Sequence, residues 1–298
     1  MIYKVKRKIK KRITWLNENK RKLLFFSLSL GLLITLTCLY LYKCKRDNEK
    51  IENIKKILLK DPTNIEKCIE LGDLFYKKVI NPTDEKDLIR YTDETIKYYR
   101  KAIALDKEEL IDPIIFSRLG IAYFKKSREL NGSYYYVEAI QNLEEAINRG
   151  YNNYETYLYL GHVYFKNDIF DKAILNYENA LKMKSNDSNI LFNIAWTYKS
   201  KGDYRKAMEK FNQVLEQRNL SPKIRLNTHL GLGEVFYYLN SNEETLKHCQ
   251  KVLDIDKNSI KGRYWLGKVY LRMGKFKKAK EEWKKIFKLN PTDLKSKK

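Results

Sequence analysis

Proline and glycine are scarce, five and twelve residues respectively in a chain of 298. These residues reverse strands, and an all-β sandwich or barrel needs such a signal at roughly 8–12-residue spacing, so that architecture is excluded. Cysteine is scarcer still. Cys38, Cys44, Cys68 and Cys249 form no CxxC pair and no cluster with histidine, which removes a disulfide scaffold and a zinc site. His162, His229 and His248 are the three histidines, and no HExxH is present. Neither a G-x-S-x-G elbow nor a glycine-rich phosphate loop occurs. The inventory leaves no catalytic centre, and a non-enzymatic protein without cofactor or metal is expected.

Charge and apolar residues are plentiful, 33% and 43% of the chain, the balance of amphipathic helices. The net charge of +23 is concentrated at the ends. Residues 1–22 carry ten Lys/Arg against Glu18, and residues 260–298 carry fourteen against Glu281, Glu282 and Asp293. What lies between is nearly neutral, unlike a uniformly basic nucleic-acid binder.

One long uncharged run stands out, LLFFSLSLGLLITLTCLYLY over residues 23–42. Roughly 20 apolar residues at ~1.5 Å rise span a bilayer core. Lys20-Arg21-Lys22 and Lys43-Cys44-Lys45-Arg46 bracket the run, and Tyr40 and Tyr42 suit its interface. The run is too long for a cleaved signal peptide and lacks an A-x-A-like site. A lipoprotein tether at Cys38 is a weaker alternative, because apolar residues continue past it. The expectation is a single-pass transmembrane helix at 23–42, with a basic cytoplasmic arm at 1–22. The positive-inside rule then puts the rest of the chain on the far side of the cytoplasmic (inner) membrane. Within the arm, Ile2, Val5, Ile9, Ile13 and Leu16 recur three or four apart among basic residues. The arm reads equally as an interfacial helix or as a basic tail that sets topology.

Beyond the run, a Leu-Gly pair followed three residues later by an aromatic recurs. It stands at Leu71-Gly72…Phe75, Leu119-Gly120…Tyr123, Leu160-Gly161…Tyr164, Ile194-Ala195…Tyr198, Leu232-Gly233…Phe236 and Leu266-Gly267…Tyr270. Successive spacings are 48, 41, 34, 38 and 34 residues. A second signature follows each pair, clearest as Ala173, Tyr177 and Ala180, then Ala207, Phe211 and Val214, then Ala279, Trp283 and Ile286. The small residue of the first signature is expected to admit the alanine of the second, with large aromatics beside that contact. Thr95 and Thr245 stand where other units have alanine, and those units are expected to be looser. Gly202 and Gly274 fit the turns between paired helices.

The period and both signatures resemble the tetratricopeptide repeat family over about residues 65–293. The resemblance implies an all-α fold, a solenoid of antiparallel helix pairs. Six repeats are drawn at 65–109, 113–153, 154–187, 188–221, 226–259 and 260–293. A short linker and leading helix occupy 43–64, and a basic tail occupies 294–298. Insertions of eleven and seven residues precede Thr95 and Ala139. They mark either loops on a binding face or longer helices packing Tyr134, Tyr135 and Tyr136, and the second reading is preferred.

The resemblance also implies that a partner segment lies in the concave groove of first helices. Carried over position by position, the groove residues are Ile69, Asp73 and Tyr76; Phe124; Leu158, His162 and Phe165; Phe192 and Trp196; Leu230, Glu234 and Tyr237; and Lys261, Tyr264, Lys268 and Arg272. The family's Lys/Asn carboxylate clamp is missing from these positions. The groove is thus aromatic, with a cationic end at Lys261, Lys268 and Arg272. It suits an apolar or amphipathic protein segment carrying acidic residues. The expected function is a membrane-anchored interaction scaffold in envelope assembly or secretion. Alternatives are a cytosol-facing targeting or import receptor, and, ranked lower, nucleic-acid or acidic-partner binding through the basic C-terminal repeat. Only seven residues follow Pro291, so that repeat is expected to lack a capping helix and to offer a surface for self-association.

Overall fold

The computed structural model describes residues 32–289 except 34, 40, 41, 44, 83, 84, 131 and 132. Among the described residues the chain is all-helical. The helices are α1 (45–60), α2 (Ile65–Ile80), α3 (Glu85–Leu105), α4 (Ile114–Leu130), α5 (Ser133–Asn148), α6 (Tyr154–Lys166) and α7 (Phe170–Met183). They continue as α8 (Ser188–Lys201), α9 (Tyr204–Leu215), α10 (Pro222–Tyr238), α11 (Asn242–Ile255), α12 (Ile260–Arg272) and α13 (Phe276–Leu289). Described residues ahead of α1, from 32 to 43, are helical too. No helix among the described residues is long and apolar enough to cross a membrane. Residues 23–31 of the expected span, the arm at 1–22 and the tail at 294–298 lie outside the described residues.

From α2 onward the helices pair as first and second members, and each second helix also packs on the first helix of the next pair. First helices of neighbouring pairs touch as well, α2 with α4, α4 with α6, α8 with α10 and α10 with α12. Second helices do not pack on one another comparably, so the first helices line the inner side of the curve. α1 serves as a leading second helix, burying Ile51, Ile54 and Leu58 in the core that also holds Leu71 and Phe75 of α2.

Four turns within pairs are built alike. At Asp168, Gly202, Asn240 and Gly274 the backbone enters the left-handed region, with φ of 58, 90, 59 and 71°. The next N–H then reaches back to the carbonyl of the repeat aromatic: Ile169 to Tyr164 at 2.9 Å, Asp203 to Tyr198 at 2.9 Å, Ser241 to Phe236 at 2.9 Å and Lys275 to Tyr270 at 2.8 Å. This Schellman-type closure fixes where the first helix stops. Asp and Asn tolerate left-handed backbone better than other non-glycine residues, so two of the four turns form without glycine. N-caps open the helices: Asn153 Oδ1 accepts from Thr156 N at 2.7 Å, and Asn64 Oδ1 from Lys67 N at 3.0 Å.

The close contact inside a pair differs from the expected small-on-small approach. The first-helix glycine admits the large residue of the second helix. A Cβ built on Gly72 would stand 2.5 Å from the ring of Tyr99, and one on Gly161 would stand 2.6 Å from that of Tyr177. Gly267 takes Trp283 in the same way, and Gly120 takes Leu143, 2.6 Å from such a Cβ. At Gly233 the partner is the smaller Cys249, with Sγ at 3.1 Å. Thr95 and Thr245 are fully buried. Their hydroxyls donate to the carbonyls of Tyr91 and Ser241, each at 2.7 Å, so both fill the alanine site without an orphaned polar atom. The early insertions lengthen helices: α3 has 21 residues and α5 has 16, against 14 in α7. The tyrosines of α5 pack as preferred, Tyr135 against Tyr134 at 5.4 Å and against Tyr123 at 6.5 Å between ring centroids.

Gly161→Ala is expected to lower stability by roughly 1–2 kcal/mol in denaturant unfolding. Overpacking costs about 1–3 kcal/mol, and helix propensity returns up to about 1. Gly233→Ala, against the yielding Cys249, is expected to cost clearly less. Equal losses at the two sites would contradict the ring-into-glycine packing.

Candidate functional site

The inner face is built by register. Taking the Leu of each Leu-Gly pair as origin, the residue two positions on and the residue one position before point toward the neighbouring first helix. In the first two pairs these are Asp73 and Arg118, joined at 2.6 Å. Tyr99 also donates to Asp73 at 2.6 Å, and the Arg118 guanidinium lies 5.6 Å from the ring centre of Tyr76. Burial first, then the Asp73 charge, raises the Tyr99 phenol well above its ordinary value.

The same register recurs in the last two pairs with different chemistry. Trp265 Nε1 donates to Glu234 Oε1 at 3.1 Å, and Lys199 pairs with the other oxygen, Oε2. Lys199 is largely buried, and its ammonium stands 3.6 Å from the ring centre of Trp196. One carboxylate of α10 therefore ties α8 to α12. Around it stand Phe192, stacked on Trp196 at 5.8 Å, and Tyr237, 5.2 Å from Trp265.

The expected groove residues fall into three groups. Tyr76, Leu158, Phe165, Phe192, Trp196 and Tyr237 are half-buried on first helices, and Lys261 and Tyr264 are exposed. Phe124 is only 5% exposed. It stacks on His162 at 5.9 Å and meets the edge of Tyr159 at 5.8 Å, so it supports the face from beneath. His162 accepts from or donates to the Tyr177 hydroxyl at 2.8 Å through Nδ1. The cationic end is narrower than expected. Arg272 donates to the Tyr237 carbonyl at 2.6 Å and to Asn242 at 2.7 Å, closing the end of α10. Lys268 lies over Tyr237 at 5.2 Å and Trp265 at 5.7 Å.

Sequence reasoning missed Lys199, Trp265 and Arg118. A signal for Lys199 was present: it occupies the position held by Tyr76, Phe124, Phe165 and Tyr237 in other repeats. A lone cation in an aromatic register marks a special partner.

No reactive centre emerges among the described residues. Burial pushes the Cys249 thiol up to about 12. Burial also depresses His162, His229 and His248 from 6.5 to about 4 each. His229 and His248 are buried together between α10 and α11, their Nδ1 atoms 3.1 Å apart, so one donates and the other accepts while both are neutral.

Two family models, each described as tetratricopeptide repeat, match residues 188–219 and 260–293, and the chain carries tetratricopeptide repeats. A TPR repeat-containing protein of Methanocaldococcus jannaschii is 24% identical over 205 residues, covering 67% of this chain and 34% of the relative. Peptidyl-prolyl cis-trans isomerase FKBP4 of Rattus norvegicus is 24% identical over 135 residues, covering 42% of this chain and 30% of the relative. The chain thus spans about a third of the length of these curated relatives. Among solved structures, the C-terminal part of a TPR repeat-containing protein from Cytophaga hutchinsonii superposes with a TM-score of 0.61 at 18% identity, covering 85% of this chain and 94% of that one. YrrB, described as a TPR protein with an unusual peptide-binding site, gives 0.55 at 20% identity, covering 71% and 96%. These likenesses establish the all-α TPR solenoid, a fold that typically mediates protein–protein interaction without catalysis.

Glu234→Leu is expected to destabilise the chain by about 3–5 kcal/mol, because it strands the Lys199 ammonium and the Trp265 N–H. Adding Lys199→Met is expected to recover a large part of that loss in urea unfolding. No recovery would mean that the pair is not coupled.

A pH dependence follows from the histidines. Their folded-state values near 4 lie below the unfolded value of 6.5, so between these limits the unfolded chain binds more protons. Their contribution is complete above about pH 6.5 and is lost as pH falls toward about 4, by up to ~1.4 kcal/mol per pH unit per histidine. His248→Gln is expected to flatten the curve of unfolding midpoint against pH, and an unchanged slope would count against it.

Proposed function

We propose that the chain is a non-enzymatic interaction scaffold, anchored in the cytoplasmic membrane by residues 23–42, with its repeats on the extracytoplasmic side. The inner face of first helices takes an apolar or amphipathic segment of a protein partner, in a role such as envelope assembly or secretion. The row of half-buried aromatics Phe165, Phe192, Trp196 and Tyr237 along that face carries the reading. Rigid aromatic surface gives large contact area at small entropic cost, and such residues dominate binding energy where they fill pockets. Lys261 and Lys268 favour acidic residues at one end of the bound segment. YrrB, of the same fold, is described as having a peptide-binding site, which is in keeping with this use of the face.

The anchor has support of its own. Leu32, Leu33, Leu36, Leu39 and Tyr42 are helical and expose large apolar side chains. Exposed apolar helical surface is unfavourable in water and suited to lipid. Twenty-two residues, most of them in α1, separate Tyr42 from the first repeat helix at Ile65, so the repeats work close to the bilayer.

A membrane-impermeant crosslinker added to intact spheroplasts is expected to capture a partner with the wild type. Trp196→Ala combined with Phe165→Ala is expected to reduce that capture at least tenfold. Capture only with a permeant crosslinker would sink the orientation, and undiminished capture by the double variant would sink the groove.

A further inference from the structure

Two surfaces near the ends of the solenoid are left uncovered, the second sharing Ile69 with the expected groove, and they complement one another. The first is the outer side of α13. Phe276 is 67% exposed and Phe287 is 53% exposed. They stand eleven residues apart, which returns them to nearly the same side of the helix about 16 Å along its axis. Six lysines and two glutamates share the helix, and Glu282 is already paired with Arg263 and Lys285.

The position of Phe287 has a precedent in the earlier pairs. Its equivalents on α7, α9 and α11 are Leu181, Leu215 and Leu253. Each is packed into the junction with the following first helix, Leu181 and Leu215 beside Leu191 and Leu220, and Leu253 against the opening turn of α12 at Gly262. α13 therefore presents a face that elsewhere in this chain meets the first turn of a first helix. Among the described residues nothing covers it.

The second surface also lies at the first turn of a first helix, that of α2, where the contact with a preceding second helix is already made by Leu58 of α1. A cleft of about 610 Å³ opens between the start of α2 and the segment joining α3 to α4. Ile65, Ile69 and Leu105 give it an apolar floor, and Leu110, 76% exposed, stands at its edge. Glu66, Asp106, Glu108 and Asp112 ring it, with Lys107 as the cation of the lining and Lys67 3.8 Å from Glu66. Asp106 and Asp112 each give one oxygen to a backbone N–H, of Ile111 and Ile114 respectively. A cleft of this size accepts one or two large aromatic side chains. In a chain of net charge +23, copies repel unless an acidic surface of one meets a basic surface of the next.

We propose that α13 of one copy seats Phe276 and Phe287 in the acidic cleft beside α2 of a second copy, giving head-to-tail self-association. The two surfaces are different and lie at opposite ends of the solenoid. The contact is therefore heterologous, so it propagates beyond a dimer, as an open chain or as a ring where the rotation between copies closes.

The test is sedimentation of the purified full chain in density-matched detergent. One variant removes the donor face, Phe276→Asp with Phe287→Asp. Another removes the acceptor, Glu66→Lys with Glu108→Lys and Leu110→Ser, sparing the carboxylates that hold backbone. The wild type is expected to pass the mass of a dimer as concentration rises. Each variant alone is expected to stay monomeric, while an equimolar mixture stops at the dimer, because each component keeps one intact surface. That rescue also demonstrates that both variants fold. Phe287→Ser alone, a milder change, is expected to raise the concentration for half-association about tenfold. A monomeric wild type, a variant that associates like wild type, or a mixture that stays monomeric would overturn the proposal. Capture of the cleft by a basic helix of another protein, with the wild type monomeric, would likewise overturn it.

Discussion

Insertion of a large second-helix side chain against a bare first-helix backbone is the constraint on which the solenoid depends. Where Tyr99, Tyr177 and Trp283 meet Gly72, Gly161 and Gly267, no other residue type leaves room for the ring. The helices come close only because one has no side chain at the crossing and the other has a flat one. The aromatic fills the crossing, and its fit sets the distance that lets the second helix reach the next pair. The turn closure uses the same register. The carbonyls that end α6, α8, α10 and α12 belong to the repeat aromatics Tyr164, Tyr198, Phe236 and Tyr270. Packing and chain reversal are thus read from one set of positions.

Polar ties between first helices are laid over that frame. Asp73 with Arg118, and Glu234 with Trp265 and Lys199, use equivalent positions to bridge adjacent first helices. Each sets a charge against a partner at hydrogen-bond distance, and the Glu234 network, largely out of water, favours one arrangement over many more than it adds net stability. In the C-terminal half the same network aligns Trp196, Lys199, Trp265 and Lys268 into alternating rings and cations. The inner face is consequently stiff where it is aromatic, and stiff aromatic surfaces lose little entropy when a segment is laid upon them.

Much of the fold was legible because the recurrent Leu-Gly-x-x-aromatic pattern is itself the packing rule. A period is visible in a string of letters. The destination of a side chain is not. Glycine was expected to receive alanine, yet it receives the ring, because the string does not say which of two neighbours on the second helix points at the crossing. Asp168 and Asn240 are harder to recognise as turn residues, because Asp and Asn enter left-handed backbone only occasionally whereas glycine does so routinely. Arg272 read as a free groove cation, although the carbonyl that occupies it lies 35 residues away in the chain. The groove could be placed by register, but which of its residues face outward and which brace it depends on rotamers that no spacing encodes. Phe124 is the clearest case.

The buried residues are unevenly divided along the solenoid. One continuous cluster runs from Ile51 on α1 to Ile194 on α8. Beyond it the core breaks into three small groups, around Phe211, around Val214 and Leu220, and around Trp265. The near half is therefore held together by one shared apolar core, and the far half by several small cores and the Glu234 tie across α8, α10 and α12.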